Sequence, residues 1–124
     1  MSITSESPST LPLIDSKSLL ERCMGNFDLV KRLNSTFLSS LPIEKSALQH
    51  AVASRDLNAI VRISHKLRGT ASNMCAMPVS VAAHQVELAA RSNQIDLVAQ
   101  RWTDLDQQIE QLLYALSTPE SNLP

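Results

Sequence analysis

Aromatic residues and glycine are scarce in this chain: 3% of its 124 residues are Phe, Trp or Tyr, and Gly25 and Gly69 are the two glycines. Packing must therefore fall to Leu, Ala, Val and Ile, a balance that suits helices better than sheets. Neither GxxxxGK[ST] nor GxGxxG is present, and no Ser-His-Asp spacing suggests a triad, so a nucleotide site and hydrolase chemistry of the chain's own are not expected. Cysteine is equally sparse. Cys23 and Cys75 are isolated, with no CxxC, which argues against a zinc site, a redox dithiol or a disulfide between them. Charge is balanced, at a net −1 and a pI near 6.3, and the basic residues are scattered, so no footprint for nucleic acid or an anionic membrane stands out. No run approaches the ~20 apolar residues of a membrane span, and the N-terminus lacks a basic n-region and an apolar h-region. The cytoplasm is the expected location. A bundle metal site would want paired Glu-x-x-His motifs, whereas this chain has one reversed His84-x-x-Glu87, and no metal is expected.

What is there is helical rhythm. A chain this long fits one domain with a real core. Residues 1–14 and 118–124, rich in Ser, Thr and Pro, read as flexible tails around a domain over 15–117, with the last residues before 15 docking on it. Asp15 or Ser16 can cap a short first helix through Leu19, Leu20 and Cys23, which Gly25-Asn26 stops. Phe27, Val30, Leu33, Phe37, Leu41, Leu48 and Val52 then keep one phase across Pro42, predicting a single long helix kinked at that proline. A third helix starts near Asp56 and carries Ile60, Ile63, Leu67, Ala71 and Met74 on one stripe. Pro78 fits the first turn of a fourth, whose small residues Ala82, Ala83, Ala89 and Ala90, with Val79 and Val86, admit a close neighbour. Leu97, Trp102, Leu105, Ile109, Leu112, Leu113 and Leu116 mark the last. With no alternating strand pattern and short connections, the expected fold is all-α: an up-and-down antiparallel four-helix bundle with a short extra N-terminal helix, and a monomer.

On the third helix, at about 100° per residue, His65 points away from the buried stripe. Its face would also hold Asn58, Val61, Arg62, Arg68, Gly69, Ser72 and Ala76. A histidine thus has a cation one turn on and, beside that cation, a glycine that costs a helix about 1 kcal/mol relative to alanine. Clearance beside His65 is the simplest use for it. A neutral imidazole can attack phosphorus through one nitrogen while the other keeps its proton, and a fixed cation offsets charge on the transferring oxygens. Elsewhere His50 reads as a surface residue, Ser80, His84, Glu87 and Arg91 share the polar side of the fourth helix, and Arg62 and Arg91 either steer an acidic partner or are simply solvated. Met74, Cys75 and Met77 read as packing.

The segment HKLRGTASNMCA, His65 to Ala76, resembles the signature of histidine-containing phosphotransfer (HPt) domains, His-x-Leu-Lys-Gly followed by small residues. His65, Leu67 and Gly69 match, and Arg68 stands where the family usually has Lys. VELAAR, Val86 to Arg91, is similar to the family's Leu-Glu stretch on the next helix, and LLERCMGNFDLVKRLNSTFLSSLP to its opening helices. In the chemotaxis-kinase branch a histidine precedes that Glu by three residues, the place of His84 here. Ser72, Cys75 and Pro78-Val79 depart from the common pattern, which touches partner preference and turn geometry more than the nucleophile.

The resemblance implies that His65 accepts a phosphoryl group, that Arg68 stabilises it, and that Glu87 holds the distal ring N–H, with His84 in support and Gly69 as clearance. It implies a phosphoryl carrier that takes phosphate from a receiver-domain aspartate or a histidine kinase, such as a hybrid sensor kinase, and passes it to a response regulator. Val61, Arg62, Ser72 and Ala76 would meet that partner. No cofactor is expected in the chain itself; magnesium would belong to the partner receiver. An HPt-like adaptor that binds receivers without transfer, a metal-binding bundle and the phosphorylated module of a larger kinase are the alternative readings.

Overall fold

The computed structural model describes residues 13–117, which form α1 (Ser16–Arg22), α2 (Phe27–Ala53), α3 (Leu57–Asn73), α4 (Met77–Arg91) and α5 (Ile95–Ser117). There is no strand among the described residues. Tail residues 1–12 and 118–124 lie outside them; Leu13 and Ile14, at the end of the first tail, are half-buried against the core.

Helix starts are written in side chains. Asp15 Oδ1 accepts the Ser18 N–H at 3.1 Å, Asn26 Oδ1 that of Leu29 at 3.0 Å, and Asp56 Oδ1 that of Ala59 at 3.1 Å. Each satisfies one of the amides that the first turn leaves unpaired. At α4 no side chain caps; Ala76 holds the position, and Pro78 in the first turn has no N–H to satisfy. Helix ends show what glycine scarcity costs. Met24, Arg55, Cys75 and Asn93 each take φ near +57°, at 56°, 57°, 58° and 58°. After each, the next residue's amide reaches back to close the helix: Gly25 to Leu20, Asp56 to Ala51, Ala76 to Ala71, and Gln94 to Ala89, at 2.8–3.0 Å. This is the closure usually given to glycine, performed by side-chain-bearing residues.

α2 runs unbroken through Pro42, as the continuous phase of its apolar residues requires. Phe27 departs from expectation: it is 49% exposed, because as the first residue of α2 it precedes the turns that face the bundle. Phe37, Leu41, Leu48 and Ala51 are the residues of α2 that are buried. Around the bundle α2 packs on α3, α3 on α4, α4 on α5, and α5 closes onto α2, the up-and-down order. The α3–α4 pair is the most intimate, since Val79, Ala83, Val86, Ala89 and Ala90 are all buried and mostly small. Ser64, fully buried within α3, satisfies its own hydroxyl on the Ile60 carbonyl at 2.6 Å.

α1 ties down the α3–α4 corner. The Asp15 amide donates to the Cys75 carbonyl at 2.8 Å, and Arg22 Nη1 reaches the Ser72 and Asn73 carbonyls at 3.3 Å. These bonds occupy carbonyls at the end of α3, where a cation is favoured by the helix dipole. Cys23 and Cys75 are both buried free thiols.

Candidate functional site

His65 stands on the outer side of α3 with 56% of its side chain exposed, opposite Ile60, Ser64, Leu67 and Ala71, which are buried. Across from it on α4 is Glu87, whose side chain is only 5% exposed. Four neighbours converge on that carboxylate. His65 Nδ1 lies 2.9 Å from Oε2, Arg68 Nε donates to Oε1 at 3.1 Å, and Arg91 places Nε and Nη2 at 3.0 and 2.9 Å from Oε2. His84 is the fourth, with Nδ1 3.9 Å from Oε1. That is close enough for charge to be felt but too long for a hydrogen bond.

The carboxylate sets the imidazole's orientation. Arg68 Nη2 also comes within 3.1 Å of His65 Nδ1, yet one ring nitrogen cannot both donate to Glu87 and accept from Arg68. Beside an acceptor-only carboxylate that already has a cation on each oxygen, Nδ1 is the protonated nitrogen and donates to Oε2. Nε2 then carries the lone pair, and it makes no hydrogen bond to any of the described residues. Burial alone would raise the Glu87 carboxyl, but the hydrogen bonds from Arg91 and His65 and the charge of Arg68 outweigh it and hold the group below its ordinary value.

Clearance at the histidine is a measurable property of the backbone. A Cβ placed on Gly69 would meet nothing within 4 Å, and Gly69 has no positive φ, so neither packing nor conformation within the chain requires glycine there. Beside it lies an open groove of about 440 Å³, lined by His65, Arg68, Gly69, Ser72, Met77, Val81 and His84 among others. A second groove, of about 330 Å³ toward the start of α3, brings Val61 and Arg62 together with Arg91 and Asn93.

Sequence spacing and structure part at three places. Ala76, expected on the His65 face, is fully buried, because α3 ends at Asn73 and the left-handed turn at Cys75 carries Ala76 inward as the cap of α4. Extending a helical wheel past a helix end has no physical basis. Ser80 and Glu87, on the polar side of α4 by their spacing, are 5% and 3% exposed. That side faces α3, where Ser80 Oγ donates to the Arg68 carbonyl at 3.0 Å and Glu87 gathers its partners. Met77, expected to pack, is 41% exposed on the rim of the groove, with Val81 at 45%. Arg91 was legible only as a cation: its i, i+4 spacing from Glu87 allowed the pairing, but nothing in the sequence told that Glu87 would be buried. Val61 is half-buried, Ser72 is half-buried on the groove wall and Arg62 is exposed. His84 Nδ1 is buried without a hydrogen-bond partner among the described residues, and His50 is exposed.

The family model described as Hpt domain matches residues 32–115, more than half of the chain, including all of α3 and α4. The chain belongs to the Hpt family. That membership makes it a histidine phosphotransfer protein of two-component signalling. Its fold is similar to that of histidine-containing phosphotransfer protein B (HptB) from Pseudomonas aeruginosa PAO1, with a TM-score of 0.81 at 17% identity over 93% of this chain and 100% of that one. Comparison with curated proteins finds no match. No described helix of this Hpt chain is long and apolar enough to cross a membrane.

Proposed function

We propose that this Hpt protein carries a phosphoryl group on Nε2 of His65, taking it from a phosphorylated receiver aspartate and returning it to the aspartate of another receiver. The single observation behind this reading is the contact of His65 Nδ1 with Glu87 Oε2 at 2.9 Å, which leaves the other ring nitrogen unpartnered on an open face. In the forward step the Nε2 lone pair forms the N–P bond while the bond from phosphorus to the aspartyl oxygen breaks, its electron pair returning to the receiver's carboxylate. The Nδ1 proton stays where it is, held by Glu87, which offsets the positive charge that develops on the ring. Arg68, one turn from His65, exchanges its bond to Glu87 for one to the phosphoryl oxygens, and its fork suits them. Such transfer depends on positioning and charge more than on covalent chemistry by the protein, so a shallow site with a wide approach is sufficient. Gly69 gives the partner that approach, while Arg62, Val61 and Ser72 on the same side of α3 are suited to meet it. Magnesium, on this reading, is held by the receiver.

The test is incubation of the chain and of His65→Gln with a receiver phosphorylated by acetyl phosphate. Acid-labile, base-stable label is expected on the parent alone. Equal labelling of the two would remove His65 from the role. Tight binding to the receiver without any phosphohistidine would identify an adaptor instead.

A further inference from the structure

Arg91 crowds the same atom that holds the histidine. Glu87 Oε2 receives His65 Nδ1 at 2.9 Å and two nitrogens of Arg91 at 3.0 and 2.9 Å, while Oε1 receives Arg68. A buried carboxylate next to an imidazole favours the protonated ring, and a ring with both nitrogens protonated has no lone pair with which to attack phosphorus. Cations on the carboxylate work against that second proton. Arg68 does so now, but a guanidinium that turns to a phosphoryl group cannot also remain on Glu87. When it leaves, Arg91 is the one cation still bonded to the carboxylate among the described residues, since His84 stays at 3.9 Å.

We propose that Arg91 is a positioning residue of this site: by sharing Glu87 Oε2 with His65, it keeps the carboxylate from drawing a second proton onto the ring, so that His65 remains the neutral Nδ1–H tautomer with Nε2 free. The placement suits the task. Arg91 is the last residue of α4, four residues after Glu87, where a cation is favoured by the helix dipole and by the Glu-to-Arg order along the helix. Its side chain is 54% exposed, so it lies at the mouth of the site and leaves the ring face open. Among the described residues, the charged and titratable groups bonded or paired with this carboxylate come from two elements, His65 and Arg68 on α3 and His84 and Arg91 on α4; Lys66, next to the histidine, is paired instead with Glu44 of α2. The inference rests on the reading of His65 as the phospho-acceptor.

Ring-nitrogen NMR on the full chain at pH 7, with the His65 signals assigned by their loss in His65→Gln, tests it. In Arg91→Gln the doubly protonated fraction of His65 is expected to rise roughly twofold or more, an amount tempered by the exposure of the arginine. Arg91→Lys, which restores the charge, is expected to return it to the parent value, and the rate of phosphoryl uptake should follow the neutral fraction in all three. No rise in Arg91→Gln, or an equal rise in Arg91→Lys, overturns the proposal. The two failures are separable: label found elsewhere than on His65 defeats the phosphotransfer reading while the NMR still reports on Arg91, and an unmoved ring in a protein that transfers through His65 defeats the role of Arg91 alone.

Discussion

His65 and Arg91, on different helices and twenty-six positions apart in sequence, meet at a single atom: Oε2 of Glu87 lies 2.9 Å from Nδ1 of the histidine and 2.9 Å from Nη2 of the arginine. The orientation of the His65 ring therefore depends on a carboxylate that gathers groups from α3 and the end of α4, and several consequences can be measured.

Gly69 is kept at a cost to the folded chain. With nothing within 4 Å of its missing Cβ, Gly69→Ala should stabilise the bundle by about 1 kcal/mol, the ordinary helical difference between the two residues. On the proposed function, phosphoryl uptake from a receiver should nevertheless fall, on the order of tenfold, because the methyl group would stand in the receiver's approach to His65. Denaturant unfolding and transfer kinetics on the same preparation check both. A variant that is more stable and transfers normally would show that clearance is not what the glycine provides.

Acid stability should depend on Glu87. Its carboxyl is held below the ordinary 4.5 in the folded protein, so the unfolded chain takes up the proton first as pH falls. The stabilisation is complete above that ordinary value and is lost as the pH drops through the lower, folded one. Glu87→Gln should flatten this part of the profile of melting temperature between neutral pH and pH 3. An unchanged acid limb would mean that the network around Glu87 stabilises the fold no better in its charged form.

Left-handed residues at the helix ends offer a separate handle. Arg55 and Asn93 are both exposed and both at positive φ. Arg55→Gly should stabilise by about 0.5 to 1 kcal/mol, the relief of the Cβ penalty less the entropy that glycine adds to the unfolded chain. Asn93→Gly should gain less, since asparagine tolerates that conformation better. Thermal melts of the two variants, compared with the parent, should show the larger rise for Arg55→Gly.

Much of this was legible in the sequence because helices are local. The spacing of Leu41 and Leu48, of Ile60, Leu67 and Ala71, and of Leu105, Ile109 and Leu112 reports directly on which side of each helix is buried, and all of these are buried. The same periodicity put His65 on the outer face of α3, and Asp15 and Asp56 announced two of the helix starts. A local period does not carry across a turn: Ala76 lies beyond the left-handed Cys75, and its burial follows from where α4 goes next. Phe27 failed for a related reason, since a helix's first residue can carry the right phase and still lie short of the core.

By itself the sequence determined the helices, the outward histidine and the glycine beside it, because each is set by which residues lie within a turn or two of one another. Only the tertiary structure decided that the polar edge of α4 is an interior surface. The close approach of α3 and α4 over small residues buries Glu87, and a buried carboxylate must gather donors from whatever faces it. That is a property of two helices side by side, and it is what makes His65, Arg68 and Arg91 one site.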